Sequence, residues 1–382
     1  MRTRIKCDRI ILADSLFDGY IYIEDGVITA LSGECLPADE AYDFTGKYLS
    51  AGFIEMHTHG GGGFSFADSS ADEVTDGCNF QASHGVTSIL PTVSTGAFSD
   101  MKRSLENIAT AMDSRLAKNN ILGAHLEGPY LSLEQCGAQY PENITEPKEA
   151  EYRELVATLG KYIKRWTYAP ERDTGAVFCR FLAENGIVAS PGHTNATYPD
   201  MLAACRAGAS LITHLYSCTS TVTRKAGFRS LGVIESAYLL DELFVEIIAD
   251  GKHLPPELIN MIVKIKGRDR VALVTDSLSV AGTDTKSGNL CGTDFIVEDG
   301  VARLPDRSAF VGSVATADTL IRTLTELCGI SLVDAVYMLT AVPAKILGVN
   351  KGEIAVGKDA DLTVFDERIS VSDVFVSGKK II

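Results

Sequence analysis

The sequence predicts an α/β protein, a TIM-like (β/α)8 barrel joined to a small β-sandwich domain that is built from both termini. Three observations lead to this fold class. Short apolar runs alternate with helix-length segments through the middle of the chain, and both ends consist of short strand-like runs separated by tight turns. The chain has 382 residues, of which 46% are hydrophobic, so it can bury a barrel-sized core and an appended domain.

The two ends of the chain account for the predicted sandwich domain. The N-terminal part contains "RIILAD", "GYIYIEDGVITAL" with a turn at Asp25-Gly26, and "AYDFTGKYLSAG", while the C-terminal part reads "KGEIAVGKDADLTVFDERISVSDVFVSGKKI". The simplest assembly places these segments in one discontinuous domain. We therefore expect a small β domain of residues 1–51 and 349–382, with the barrel of residues 52–348 inserted between them.

Eight apolar runs in the middle of the chain are the predicted barrel strands, and segments such as "SDMKRSLENIATAMDSRLAKN" and "YPDMLAACRAG" are predicted helices between them. In chain order the runs are "FIEMHTH", "TSILPTV", "ILGAHLEG", "RWTYAPE", "GIVASPGHTN", "SLITHLYS", "LFVEIIADGKH" and "VALVTDS". Barrel enzymes of this kind carry their active sites at the carboxyl ends of the strands. Polar residues that end these runs are therefore the candidates for function.

Composition restricts the partners and the compartment. The net charge of −15, from 35 basic and 50 acidic residues, opposes non-specific binding to nucleic acid and requires a locally positive pocket for any anionic substrate. No apolar segment has the length of a signal peptide or a membrane span, so we expect a cytoplasmic protein without a membrane partner. Nine cysteines without CxxC spacing are typical of reduced thiols, most of them in the core.

The stretch "GFIEMHTHGGGGFSF" ends the first run with two histidines and four glycines. Side chains alternate between the faces of a strand, so His57 and His59 point to the same side. A His-x-His pair alone is equally compatible with a metal site and with hydrogen-bonded core histidines. Residues Gly60 to Gly63 are expected to allow a sharp turn and to leave space for substrate, the alternative being a merely flexible loop.

Further candidate ligands end the later runs. They are Glu127 in "AHLEGPY", His193 in "SPGHTNAT", His214 in "THLYS", His253 in "ADGKH" and Asp276 in "VTDS". Any one of these histidines could be an ordinary core residue, but the set at one barrel mouth supplies the nitrogen and oxygen ligands that Zn²⁺ or Fe²⁺ prefers. His125 shares the face of Glu127, and His84 is predicted to be structural. Asp276 could handle the proton of a water molecule, or could instead cap a helix before "SLSVAG".

The motifs "GFIEMHTHG", "HLEGPY", "GHTNAT", "THLY", "VTDS" and "GEIAVGKDADLTVFD" resemble the amidohydrolase superfamily and, within it, the N-acetylglucosamine-6-phosphate deacetylase family. The resemblance spans the whole chain, and "HLEGP" and "GHTNAT" are its specific parts. The fourth run ends "TYAPE", without the carboxylated lysine of other branches. The resemblance implies two divalent metals, one held by His57, His59 and Glu127, the other by Glu127, His193 and His214.

The reaction implied by the resemblance is hydrolysis of an acetamide, in which Asp276 takes a proton from the attacking water and returns it to the departing amine. The implied partner is a phosphorylated amino sugar, and the implied assembly is a homodimer. The alternatives are a different N-acyl sugar, such as N-acetylgalactosamine-6-phosphate, another amide, or a non-catalytic scaffold. A scaffold would be recognised by lost ligands, and none is missing.

Two departures from the family pattern affect the substrate pocket. Ser217 and Cys218 stand where relatives have Asn-Ala, and Gln139 stands where relatives usually have a substrate-facing histidine. By the resemblance, Arg224 contacts the sugar phosphate, often across a dimer interface, with Arg229 as the alternative and His253 nearby. A solvated ion pair on the surface is the other interpretation of Arg224.

Overall fold

A computed structural model describes all 382 residues and places strands from both ends of the chain in one hydrogen-bonded sheet. Tyr48–Ala51 pairs antiparallel with Leu362–Phe365, which joins the two ends, and the predicted turn at Asp25-Gly26 is present with positive φ at both residues. Fourteen buried apolar residues form the core of this part. The strands are Arg2–Ile11, Leu16–Glu24, Val27–Ser32, Glu40–Asp43, Tyr48–Ala51, Leu362–Phe365, Val371–Val376 and Lys379–Lys380.

Each of the eight apolar runs predicted for the middle of the chain contains a strand. They are β1 (Phe53–Thr58), β2 (Val86–Val93), β3 (Ala124–Glu127), β4 (Ile163–Tyr168), β5 (Val188–Pro191), β6 (Leu211–Ile212), β7 (Phe244–Ile248) and β8 (Val271–Val274). Parallel pairing joins β1 to β5 in order and β6 to β8 in order, and a short strand, Asn120–Ile121, also pairs with β2. Nearly every residue of these strands is buried, as expected for parallel strands covered on both faces.

Backbone hydrogen bonds also link the two parallel groups at their carboxyl ends. The Thr213 N–H donates to the Pro191 carbonyl at 2.8 Å, between β6 and β5, and the Asp276 N–H donates to the His57 carbonyl at 2.9 Å, between β8 and β1. The His59 N–H donates to the Ser277 carbonyl at 2.8 Å. All eight carboxyl ends therefore meet at one rim.

The helices pack around the parallel strands, and 59 buried apolar residues form the largest core cluster. The helices are α1 (Ala71–Ser83), α2 (Phe98–Ser114), α3 (Glu149–Leu159), α4 (Val177–Glu184), α5 (Tyr198–Ala207), α6 (Val233–Leu239), α7 (Pro256–Lys266), α8 (Ala317–Arg322), α9 (Leu332–Leu339) and α10 (Ala341–Leu347). A further 11-residue cluster joins apolar residues of β1 and β8 to α10. None of the helices has both the length and the apolar character needed to cross a bilayer.

Two antiparallel insertions at the rim were not predicted from the sequence. A four-stranded sheet between β8 and α8 consists of Ser287–Leu290, Thr293–Glu298, Val301–Arg303 and Phe310–Ser313, and a hairpin after β6 consists of Thr223–Lys225 and Phe228–Ser230. The Ser313 hydroxyl donates to the Thr275 carbonyl, which fixes the four-stranded sheet to the end of β8. Both insertions thus lie beside the carboxyl ends of the parallel strands.

Candidate functional site

Four histidines converge on the carboxylate of Glu127 at the rim. Oε1 of Glu127 lies 3.3 Å from Nε2 of His57, 3.3 Å from Nε2 of His193 and 3.2 Å from Nε2 of His214. Oε2 of the same carboxylate lies 3.4 Å from Nε2 of His59. All five side chains are buried. The alternation of β1 therefore brings His57 and His59 to one side, where the ends of β3, β5 and β6 meet them.

Each of the four imidazoles turns Nε2 toward Glu127 and uses Nδ1 for another contact. Nδ1 of His57 lies 2.8 Å from Glu246 Oε1, and Nδ1 of His59 lies 2.8 Å from the Ser94 hydroxyl. In His193 and His214, Nδ1 faces a backbone carbonyl, that of Gln135 at 3.0 Å and that of Ser217 at 3.1 Å respectively. Metal-ligating histidines are commonly oriented in this way, with one ring nitrogen held by a neighbour and the other directed at the ion.

The donor set fits a divalent cation. Two sets have ligand atoms that all lie within 4.8 Å of one another, namely His57 with Glu127 and His214, and His57 with His59 and Asp276. Nε2 of His57 is buried, and the Glu127 and Asp276 oxygens that lie 3.3 and 3.5 Å away do not have hydrogen-bond geometry toward it. A buried polar atom without a partner is costly, and imidazole nitrogens with carboxylate oxygens are the ligands that Zn²⁺ and Fe²⁺ accept.

The electrostatics of this group show how strongly the charges interact. Burial alone would lower the pKa of His57, but the surrounding carboxylates, Glu127 first, raise it to about 10. Burial opposes ionisation of Glu127 as well, yet the neighbouring imidazoles, His57 first, hold the pKa of its carboxyl well below the usual range. Positive charge is therefore stabilised at this point, either as protons on imidazoles or as a cation.

Asp276 faces the same centre from the end of β8. Its Oδ1 lies 3.1 Å from Nε2 of His59 and 3.5 Å from Nε2 of His57, and its side chain is 11% exposed. Burial opposes its ionisation, but His57 and His59 lower the pKa of its carboxyl below the usual value. No helix begins after Asp276, so the helix-capping alternative is wrong. The carboxylate is instead presented to the cavity.

Left-handed backbone conformations present several of these side chains. His193, His214 and Asp276 have φ values of 46°, 24° and 48°, which non-glycine residues adopt rarely. All three lie just beyond the ends of their strands, where the chain leaves the rim. Strained backbone of this kind is concentrated at functional sites, since surrounding structure must hold it in place.

The four glycines after His59 form a turn in which three of them are tightly packed. A Cβ atom at Gly60 would lie 2.1 Å from the Phe64 carbonyl oxygen, and one at Gly61 would lie 2.5 Å from the Phe80 ring. None of the four lines the cavity beside the histidines. The expectation of a sharp turn is met, with φ of 152° at Gly60. The chain itself fills the space at Gly60, Gly61 and Gly62, and the open space at Gly63 is not part of that cavity.

A buried ion pair that the sequence analysis missed supports the histidines. Glu246 on β7 accepts from Nδ1 of His57, from the His214 N–H at 3.0 Å and from Arg165 Nη1 at 2.6 Å. Glu246 and Arg165 are both fully buried. Burial opposes ionisation of Glu246, but Arg165 and His57 lower its pKa to about 2. The sequence signal for this pair was a charged residue in each of two apolar runs. Charged residues are seldom fully buried without a partner, so the two could have been expected to pair.

Two of the three remaining histidines, His125 and His84, make their polar contacts away from Glu127. Nε2 of His125 lies 2.7 Å from the Thr167 hydroxyl, and its ring packs edge-on against His57 with centroids 4.5 Å apart. Burial and the charge of Arg165 hold the pKa of His125 well below its usual value, which favours the neutral form of this ring. Nδ1 of His84 lies 3.0 Å from Asp318, away from the rim.

A cavity of about 240 Å³ opens beside the histidines. Gln139, Ser217, Cys218 and His253 line it, together with Phe310 from the unpredicted sheet. Nδ1 of His253 lies 2.8 Å from Asp250 Oδ2, and its ring packs against Phe310 with centroids 4.9 Å apart. Gln139 Nε2 donates to Glu127 Oε2 at 2.7 Å. Four of the substrate-side candidates, Gln139, Ser217, Cys218 and His253, thus share one cavity with Asp276.

Arg224 and Arg229 are not part of that cavity within one chain. They face each other across the hairpin that follows β6, where every residue from 221 to 229 is exposed. Within a single chain Arg224 therefore does not line the cavity together with His253, since the hairpin that carries it is exposed. Arg224 is exposed, and no carboxylate of the chain pairs with it.

Comparisons with known proteins agree with this geometry. The amidohydrolase family model matches residues 48–381. An N-acetylglucosamine-6-phosphate deacetylase from Haemophilus influenzae is 31% identical over 98% of both chains, and an N-acetylgalactosamine-6-phosphate deacetylase from Shewanella is 32% identical over 94% of this chain and 90% of its own. The structure of an N-acetyl-D-glucosamine-6-phosphate deacetylase variant from Mycobacterium smegmatis, in complex with N-acetyl-D-glucosamine-6-phosphate, is similar with a TM-score of 0.92, 29% identity, and coverage of 100% and 99%.

Proposed function

Since this chain belongs to the amidohydrolase family, we propose that it is a metal-dependent deacetylase, which hydrolyses the acetamide of an N-acetylated amino-sugar 6-phosphate to the free amine and acetate. The observation that carries the proposal is the Glu127 carboxylate enclosed by four Nε2 atoms, with Asp276 facing the same cavity. The retained ligands argue against a non-catalytic scaffold.

The preferred substrate is N-acetylglucosamine-6-phosphate. N-acetylgalactosamine-6-phosphate is the second candidate, because a relative of comparable identity carries that name. The test is a panel of both N-acetylhexosamines, with and without the 6-phosphate, assayed on metal-loaded enzyme for release of acetate. Release from neither sugar in either form would overturn the deacetylase assignment.

We assign one divalent ion to His57, His59 and Glu127 and a second to Glu127, His193 and His214. Ions held there, Zn²⁺ or Fe²⁺ by the chemistry of the ligands, would polarise the amide carbonyl and acidify water. Asp276 accepts a proton from the attacking water at Oδ1 and returns it to the nitrogen of the departing amine. Gln139, Ser217, Cys218 and His253 contact the sugar or its phosphate in the cavity.

Membership of the amidohydrolase family also supports a proposal for the architecture of the two domains and for the assembly. We propose a closed (β/α)8 barrel of residues 52–348, supported by the hydrogen bonds that link β5 to β6 and β8 to β1. Residues 1–51 and 349–382 form a sandwich around their own core cluster. All nine cysteines are unpaired, which suits the reducing cytoplasm. We also propose a homodimer, in which the exposed hairpin brings Arg224 to the partner's cavity.

The metal assignment predicts a defined stoichiometry. Metal analysis of fully loaded protein should give close to two divalent ions per chain, and a His57→Asn/His59→Asn double variant should hold about one, since Glu127, His193 and His214 remain. His84→Asn is the matched control, because His84 lies by Asp318 and away from Glu127. A ratio of one in the wild type would contradict the assignment of two ions.

The assignment of Arg224 to the sugar phosphate predicts a loss of kcat/KM that depends on the substrate. Arg224→Ala should cost on the order of 2 kcal/mol in kcat/KM for the 6-phosphorylated sugar and almost nothing for the free sugar, since a charge-assisted contact is lost only with phosphate. Arg229→Ala, from the position opposite in the hairpin, is the matched control and the test of the alternative residue. Equal losses on both sugars would remove Arg224 from phosphate binding.

Mixed dimers test whether Arg224 acts on the cavity of its own chain or on the cavity of the partner. When Arg224→Ala chains are combined with Asp276→Asn chains, a mixed dimer has one site with both native residues only if Arg224 acts on the partner's cavity. Activity of the mixture above that of either variant alone is the expected result. Activity no higher than the sum of the two variants would place Arg224 in its own chain's site or outside the reaction.

A further inference from the structure

The loop from Ser132 to Tyr140, between β3 and α3, is fixed at both sides of the candidate metal centre. The Ser132 N–H donates to the His193 carbonyl at 2.8 Å, and the Gln135 carbonyl lies 3.0 Å from Nδ1 of the same histidine. At the other end of the loop, Gln139 donates to Glu127, and the Ala138 carbonyl accepts from the Thr293 hydroxyl at 2.9 Å. The loop is therefore well placed to hold both Glu127 and His193.

The two oxygens of Glu127 have different surroundings. Oε1 lies 3.2 to 3.3 Å from the Nε2 atoms of His57, His193 and His214. Oε2 lies 3.4 Å from His59 Nε2 and accepts from Gln139 Nε2 at 2.7 Å. Gln139 is the only residue other than a histidine that makes a polar side-chain contact with this carboxylate. Rotation of the carboxylate about its Cγ–Cδ bond would break the Gln139 contact.

We propose that Gln139 is a positioning residue for the shared ligand Glu127, and that it supports the ion next to His59, on the Oε2 side of the carboxylate. This role rests on the proposed two-ion site and is separate from contact with the sugar. A carboxylate oxygen has two lone pairs, so Oε2 can accept the amide N–H and still ligate an ion next to His59. A glutamine cannot carry a charge, so it donates to the carboxylate without repelling a nearby cation.

The ion on the other side depends less on Gln139. Its ligands His193 and His214 approach Oε1, and their ring orientations are set by the carbonyls of Gln135 and Ser217. Loss of the Gln139 side chain leaves these backbone contacts in place. Removal of a residue that orients a metal ligand typically costs roughly 10- to 100-fold in metal affinity. We therefore expect loss of the Gln139 side chain to lower the affinity for one ion by this factor and to change the affinity for the other ion little.

The experiment is a zinc titration of metal-free full-length protein against a competing chelator, without substrate. Gln139→Leu should weaken one of the two ions by about 10- to 100-fold and leave the other within a few-fold of wild type. The weakened ion should be the one lost in the His57→Asn/His59→Asn variant, so adding Gln139→Leu to that variant should not lower its remaining affinity. Asn143→Leu is the control for metal binding, because the side-chain amide of Asn143 makes no hydrogen bond in the chain and the residue does not line the cavity.

Three outcomes would overturn the proposal. The first is that Gln139→Leu leaves the zinc affinities unchanged, even if it raises KM. The second is that it weakens the binding of both ions equally. The third is that the combined variant loses zinc affinity beyond that of the His57→Asn/His59→Asn variant. If wild-type protein binds only one ion, the two-ion assignment fails, and Gln139 is then tested by the affinity of that single ion. Gln139→Ala, with a far-UV circular dichroism spectrum matching that of wild type, provides a second variant in case the leucine disturbs the loop.

Discussion

Asp276→Asn is expected to lower kcat by roughly 100-fold or more, the usual scale for a lost acid-base group, while metal content and KM change little. Asp276 Oδ1 faces the cavity from the end of β8, 3.1 Å from His59 Nε2. An asparagine keeps the shape of this side chain but cannot accept a proton from water or return one to the amine. The measurement is steady-state kinetics on metal-loaded protein, with the metal ratio determined on the same sample.

The control for this variant is Asp284→Asn, since Asp284 is exposed on the loop beyond Asp276 and makes no hydrogen bond. It should leave kcat unchanged. Near-normal turnover of Asp276→Asn with full metal would remove Asp276 from the reaction. A variant that has lost its metal would instead show that Asp276 acts as a ligand, as its closeness to His57 and His59 allows.

The convergence of the candidate ligands was predictable from strand ends alone. The carboxyl ends of parallel strands share one rim, so a polar residue that ends an apolar run is placed there whatever the length of the helices between. The outermost of these residues, His57 and Asp276, are 219 positions apart in the chain. Each of His57, His193, His214 and Asp276 nevertheless has a polar atom within 3.5 Å of Glu127 or of another member of the set. Periodicity and chain order were sufficient for this step.

Other parts of the site depend on information that periodicity does not carry. Glu246 lies inside an apolar run and Arg165 begins another, and each alone could have faced solvent. Their pairing depends on the three-dimensional arrangement that brings β4 and β7, which are not neighbours in the sheet, close together. The sheet of residues 287–313 was also missed. The turns of its hairpins, at Cys291-Gly292 and Asp299-Gly300, are recognisable in the sequence. The strands beside these turns, however, do not fit the alternation of strands and helices that predicts the rest of the middle region.

Glu246→Gln is expected to lower the free energy of unfolding of the metal-free protein by about 3 kcal/mol or more, the scale for breaking a fully buried ion pair. The amide removes the negative charge that faces Arg165 Nη1 at 2.6 Å, and Arg165 is fully buried with no other acidic partner. Its other contacts are neutral, namely the Met56 carbonyl and the hydroxyls of Ser190 and Thr213. The measurement is reversible urea unfolding of metal-free protein, with Glu149→Gln as the matched control in the exposed pair with Arg153.

A double variant shows whether Glu246→Gln lowers stability by leaving the Arg165 charge unpaired or by removing a contact. Arg165→Met added to Glu246→Gln should recover much of the lost stability, because it removes the buried charge that the single variant leaves without a partner. Glu149→Gln should change stability by well under about 1 kcal/mol, since exposed pairs contribute little. A Glu246→Gln variant as stable as this control, or a double variant less stable than the single one, would show that the ion pair does not hold this part of the barrel together. The same carboxylate orients His57 and His214, so the single variant should also weaken metal binding by roughly 10-fold or more.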